Sequence, residues 1–163
     1  MESSSPTHEA HEARVARQLE LARPYADSKP SDVTEVDWIY AACRVGSYPP
    51  ATRRSGKWMV MLEIGQVDAV WARIKAATEE GRLGRFSKVS TAKPSPYAFD
   101  PRTKVVCVYT YDSDDVGDVM RVRDELRRLG VTEKIGYKTD EMTMAGKYVV
   151  RGAKPEEVRK YYE

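Results

Sequence analysis

An α+β domain, with a curved and mainly antiparallel sheet carrying helices on one face, is what this sequence predicts. Three observations carry the expectation. Segments of strand composition, led by KVVCVYTY at 104–111, alternate with segments of helical apolar spacing. The connections after Ala92 and Lys138 are too short to hold a crossover helix, so the strands they join should run antiparallel. The length, 163 residues, fits one domain with a short appendage.

Element by element, residues 1–31 read as a flexible extension. Met1 to Thr7 is Ser/Pro-rich and expected to be disordered, and His8 to Ala22 forms at most one helix, with Val15, Leu19 and Ala22 on one side. Pro24 ends that helix, DSKPS at 27–31 is a linker, and a single domain is expected over 32–163. Ser31 or Asp32 caps a short helix burying Val36, Ile39, Tyr40 and Cys43. Val45 to Gly56 is a loop and KWMVMLE at 57–63 a strand. Val67, Val70, Trp71, Ile74 and Ala77 mark a helix that Gly81 stops. Leu83 to Ala92 is a strand, and the Pro-containing stretch 93–103 is a loop.

After the central strand, Asp112, Asp114, Asp115 and Asp118 open a helix over 116–129, where carboxylates meet the positive end of the helix dipole. Val119, Val122, Leu126 and Leu129 form its buried stripe, and Gly130 closes it. Ile135 to Lys138 reads as a strand, Thr139 to Ala145 as a polar loop and Lys147 to Arg151 as a strand. A last helix begins at Pro155 and ends in Tyr161 and Tyr162.

Charged residues make up 32% and the hydrophobic set 41%, an ordinary globular balance. No apolar run approaches the ~20 residues that span a bilayer, and the opening residues carry no apolar signal core, so a cytoplasmic or nuclear protein without a membrane partner is expected. Cys43 and Cys107 make neither a disulfide framework nor a close metal pair and read as reduced thiols. The net charge of +2 does not by itself indicate nucleic acid.

Catalytic motifs are sparse. There is no Gly-rich phosphate loop, nucleophile elbow or H-E-x-x-H. His8 and His11 are the only histidines and lack a third ligand nearby, so no metal and no cofactor is expected. The informative feature is local charge: Arg82, Arg85, Lys88, Lys93, Arg102 and Lys104 stand against a single acid, Asp100, between residues 82 and 104. Such a cluster can form a concave phosphate site through charge-assisted hydrogen bonds, with Lys138 and Lys147 joining from a neighbouring strand. The competing explanation is a solvated edge that discourages strand-to-strand association. Tyr48 and Tyr97, in loops, are the candidates to stack on a base. Trp38, Trp58 and Trp71 sit at core spacing.

The succession SGKWMVMLE, VDAVWARIKAATEEGRLG, KVST, KVVCVYTYD, VMRVRDELRRLGV and KIGYKTDE resembles eukaryotic translation initiation factor 4E from about residue 32 to 150, with TEVDWIYAA similar to its early Trp-containing helix. The same segments are more similar to the basophilic-leukemia-expressed protein family, in GKW, GRLG with KVST, VCVYTYD and YKTDE. That resemblance implies an initiation factor 4E-like fold. Some bacterial relatives carry the name of a phosphothreonine lyase domain. Cap recognition in the initiation factors uses two loop tryptophans and an acid, whereas the segment before GKW here offers Tyr48 and no Trp.

The leading expectation is a module that binds a phosphorylated ligand (a small molecule such as a nucleotide, an RNA end or a phosphopeptide) on a basic concave face. Arg85, Lys88, Lys93, Arg102 and Lys104 would hold phosphate, and Tyr48 or Tyr97 would stack. One alternative is a cofactor-independent phosphothreonine lyase with Lys88 or Lys138 as base. Another is a scaffold that docks a protein partner on its helix face.

Overall fold

The computed structural model describes residues 6–96, 98 and 100–163, with side chains from residue 9 onward. Six strands, β1 (Trp38–Ala42), β2 (Gly56–Glu63), β3 (Phe86–Ser90), β4 (Thr103–Thr110), β5 (Gly136–Thr139) and β6 (Tyr161–Tyr162), form one curved sheet in the order β1-β3-β4-β2-β5-β6. All its pairings are antiparallel. The expected α+β architecture is present.

The pleat divides each strand between two faces. On one, Ile39, Trp58, Val60, Val89, Val106, Val108 and Tyr137 are fully or almost fully buried. Two helices cover them. α2 (Ile64–Glu79) contributes Val67, Trp71, Ile74 and Ala77, and α3 (Val116–Arg128) contributes Val119, Val122 and Leu126. Each buried aliphatic side chain is worth ~1.5–3 kcal/mol of transfer free energy, so this face carries most of the stability. The Trp58 indole also donates to the Val119 carbonyl at 3.0 Å, fixing α3 to the sheet centre. Asp115 caps α3 by accepting from the Asp118 amide, the role expected for that acidic cluster. Gly81 and Gly130 follow the two helices at φ +77° and +96°, where a side chain would be strained.

Several expectations fail for identifiable reasons. Residues 38–42 are a strand, not part of a helix. Ile39 and Ala41 point into the core while Trp38 and Tyr40 point away, and this period of two outweighs the helix-like spacing of Val36, Ile39 and Cys43. The polar stretch after β5 is not a loop but a short helix, α4 (Asp140–Met144), because the Thr139 hydroxyl accepts from the Met142 amide and caps it. The strand expected at 147–151 is instead a 3-10 turn over Val149–Arg151, and the expected last helix is a 3-10 turn over Pro155–Glu157. Tyr161 and Tyr162 do not end a helix; they pair with β5 as an edge strand.

The N-terminal helix α1 (Pro6–Ala22) lies apart from α2 and α3, against β1 at one side and α4 at the other. Its covered stripe is His11, Val15, Gln18 and Ala22, while Leu19, expected on that stripe, is exposed. Pro6 and Thr7, expected to be disordered, open α1, and the rest of that expectation, Met1 to Ser5, lies outside the described residues. Among the described residues, no helix is long and apolar enough to cross a membrane.

Candidate functional site

The sheet face opposite α2 and α3, bordered by α1 and α4 and called the hollow below, carries side chains of alternate parity: Trp38 and Tyr40 from β1, Phe86 and Lys88 from β3, Cys107 and Tyr109 from β4, Lys57 from β2 and Lys138 from β5. Strand register dictates the grouping. Tyr40 stands opposite Lys88, Lys88 opposite Cys107, and Lys57 opposite Lys138. Like charges directly across a strand pair are unfavourable, so the last pairing has to be compensated or used.

Compensation reaches one lysine. The Lys57 ammonium donates to Asp140 at 3.0 Å and to the Thr143 hydroxyl at 2.7 Å, both on α4. Burial pushes the Asp140 carboxyl up, but Lys57 and the Ser55 hydroxyl outweigh it and hold the group below its usual range. Lys138 donates to the Lys147 carbonyl and lies 3.7 Å from the centre of the Tyr148 ring. Lys88 lies 3.8 Å from the centre of the Trp38 ring and 6.0 Å from that of Tyr109. Among the described residues, neither Lys88 nor Lys138 contacts a carboxylate.

Burial lowers both ammonium groups to about 8. Lys57 adds to the effect on each, and Cys107 opposes it. At neutral pH the hollow therefore holds two positive charges that no carboxylate of the described residues contacts, Asp140 acting on Lys88 only from a distance. Aromatic faces recover part of their lost hydration. Phe86 stacks on Tyr109 with centroids 4.2 Å apart, beside Lys88. A ligand that supplied negative charge and a planar ring would satisfy both features.

The other residues singled out in the sequence do not converge here. Lys104 belongs to the opposite parity of β4. It lies on the helix-covered face with Val106 and Val108, where burial lowers its ammonium. Lys93 is paired with Asp37 at 3.5 Å. Arg102 is exposed at the end of the loop before β4. Arg85 is exposed and borders a small cavity of about 60 Å³ together with Phe86, Tyr109 and Asp140, at the rim of the hollow. Tyr48 does not face the hollow; its hydroxyl donates to Asp118 and accepts from the Tyr111 amide, anchoring the loop before β2 to α3. Tyr97 lies outside the described residues.

Sequence reasoning misses the stacked pair Phe86 and Tyr109 and two further contributors. Lys57 stands alone in an apolar strand, and helical spacing places Trp38 in a core helix. The signal that finds both is period-two alternation once GKW and WIY are read as neighbouring strands.

A larger open cleft of about 570 Å³ lies between Arg54, Asp114, Glu141, Lys147, Glu157 and Lys160. Its cations are already paired: Arg54 with Asp112 and Asp114, Lys147 with Glu157, and Lys160 with Asp114. It has the room of a ligand site and lacks the unsatisfied charge, so the lysine hollow is the stronger candidate.

Fold and site thus define an α+β protein whose sheet presents lysines and aromatic rings on its concave side. Residues 49–146, more than half of the chain, match the family described as Bles03, basophilic leukemia-expressed protein Bles03, and the chain belongs to that family. Among solved structures, it is similar to C. elegans eIF4E-3 in complex with the 4E-binding protein Mextli and a cap analog, at 19% identity and TM-score 0.47 over 56% of this chain and 54% of that one. It is also similar to schistosome eIF4E with m7GpppG and 4E-BP, at 14% identity and TM-score 0.49 over 68% of this chain and 59% of that one. For Ascaris suum eIF4E-3 with an m2,2,7G cap the values are 20%, 0.42, 52% and 50%. The chain therefore spans between half and three fifths of the length of these structures.

Proposed function

We propose that the protein binds a phosphorylated ligand carrying a planar ring, a nucleotide being the simplest, in the hollow on the concave side of its sheet. The observation that supports this reading best is the imbalance of charge. Three lysines from three strands share the face, and among the described residues the one carboxylate that contacts any of them, Asp140, pairs with Lys57. Buried charges are ordinarily paired, and groups held at odds with that rule mark functional sites. Lys88 and Lys138 are the phosphate ligands in this reading, Arg85 a rim contact, and Trp38, Phe86 and Tyr109 the surface for the ring. Each lysine supplies a charge-assisted hydrogen bond to a phosphate oxygen, and the aromatic rings select for a flat group.

The test is a titration with ATP, tripolyphosphate and adenosine, followed by tryptophan fluorescence, since Trp38 lies within the site. ATP should bind more tightly than either fragment, and Lys88→Ala with Lys138→Ala should weaken it at least tenfold, on the order of one lost charge-assisted contact. Unchanged affinity in the double variant removes the site.

One observation favours a second reading, phosphothreonine β-elimination. A general base must be partly unprotonated near neutrality, and Lys88 and Lys138 both sit at about 8. The lysine would take the α-proton, the electron pair would form the Cα–Cβ double bond, and the Cβ–O bond would break to release phosphate. Tyr109, on the same face, is the candidate to protonate the leaving oxygen. Mass spectrometry of a phosphothreonine peptide after incubation decides the matter. Loss of phosphoric acid that disappears in Lys88→Ala or Lys138→Ala establishes elimination, and an unchanged mass excludes it.

A further inference from the structure

α1 bridges the hollow. It touches β1 on one side, where the Tyr40 hydroxyl donates to the Gln18 side-chain oxygen at 3.3 Å, and α4 on the other. The stripe it turns toward the sheet, His11, Val15, Gln18 and Ala22, is half polar, whereas Leu19 and Leu21 are 44% and 57% exposed. A helix held only by its apolar face would turn those leucines inward. Beside the His11 ring on that stripe stands the exposed Arg14. Arg14 and His11 stand within electrostatic range of Lys88, and His11 also of Lys57 and Asp140. An Arg14 nitrogen lies 2.9 Å from His11 Nδ1. A guanidinium only donates, so Nδ1 is the acceptor and the ring hydrogen sits on Nε2, leaving that N–H free to donate. The Arg14 guanidinium thus opposes the Lys88 ammonium, a repulsion that an intervening anion would turn to advantage.

We propose that α1 is a ligand-clamped lid: Arg14 and the His11 Nε2–H form the upper half of the anion site whose lower half is Lys88 and Lys138, so that an anion bound between them fastens the helix to the sheet. The proposal deepens the phosphate-binding reading and rests on it. An isolated helix of this length is marginal in water, so a modest binding energy suffices to shift α1 between loose and docked states.

The experiment is hydrogen–deuterium exchange of the full chain with and without tripolyphosphate, at constant ionic strength, alongside calorimetry of wild type and Arg14→Gln. Saturation should slow exchange in peptides from 6–22 by roughly tenfold, and Arg14→Gln should weaken binding by a similar factor, as for loss of one charge-assisted contact. Should tripolyphosphate bind while α1 exchanges at the same rate or faster, the hollow stands as the site and the lid is refuted. The lid is equally refuted if Arg14→Gln binds as tightly as wild type. Absence of binding heat, with Lys88→Ala indistinguishable from wild type, refutes both.

Discussion

Replacing Lys88 by Met keeps the length of the side chain and deletes the ammonium, which isolates the energetic burden of that charge. An ordinary lysine loses its proton near 10.5, and Lys88 does so at about 8. At 1.36 kcal/mol per pH unit, the folded state therefore bears a penalty of about 3 kcal/mol whenever this lysine is charged. The sign follows from proton counting. Below about 8 both folded and unfolded chains hold the proton, and the penalty is complete. Between about 8 and 10.5 the unfolded chain holds more protons than the folded one, so wild-type stability rises with pH. Lys88→Met has no such rise. Allowing ~0.5–2 kcal/mol for the lost contact with Trp38, the variant should be more stable than wild type by ~1–2 kcal/mol at pH 7. That advantage should shrink by about 2 kcal/mol by pH 9.5. Urea unfolding followed by far-UV circular dichroism at the two pH values measures it. An advantage independent of pH, or a variant less stable at pH 7, would refute the claim that an uncompensated charge is held in the hollow.

Two further outcomes are expected. Affinity for tripolyphosphate should fall at least tenfold between pH 7 and 9.5, because Lys88 and Lys138 both give up their protons near 8 and the anion binds only the charged forms; calorimetry across that range gives the profile, and a flat one counts against these ligands. Arg123, fully buried on α3, donates to the carbonyls of Val131, Glu133 and Glu163 at 2.9, 2.7 and 3.0 Å. Arg123→Ala leaves those acceptors without their partner and should lower unfolding free energy by about 3 kcal/mol, a loss under 1 kcal/mol showing that water replaces the guanidinium.

How much of the fold is legible in the sequence depends on the length and purity of each pattern. β2, β4, α2 and α3 carry long runs of one period and are readable, and the family resemblance follows from their order. β1 has five residues, too few for alternation to outweigh an accidental spacing of three, and Trp38 is misplaced with it. The short α4 depends on one threonine cap rather than on periodicity. At the site, composition locates a basic region but not its faces. Lys88 and Lys104 are both near β-segments, yet Lys88 pairs with Cys107, three residues beyond Lys104, and an odd offset puts the two ammoniums on opposite sides of the sheet. Pairing register is a long-range property, and no local pattern encodes it.

The opposed Lys57 and Lys138 have a consequence for how the strands align during folding. Slipping β2 by one residue against its neighbours would swing Lys57 onto the helix-covered face, where Trp58 now meets Val119 and Tyr137, and turn Trp58 out of the interior. Misaligned sheets are thereby penalised by several kcal/mol for each stranded ammonium. The residues that make the concave side unusual also proofread the β-ladder, so neutralising them all for the sake of stability would be expected to trade a strained surface for an ambiguous one.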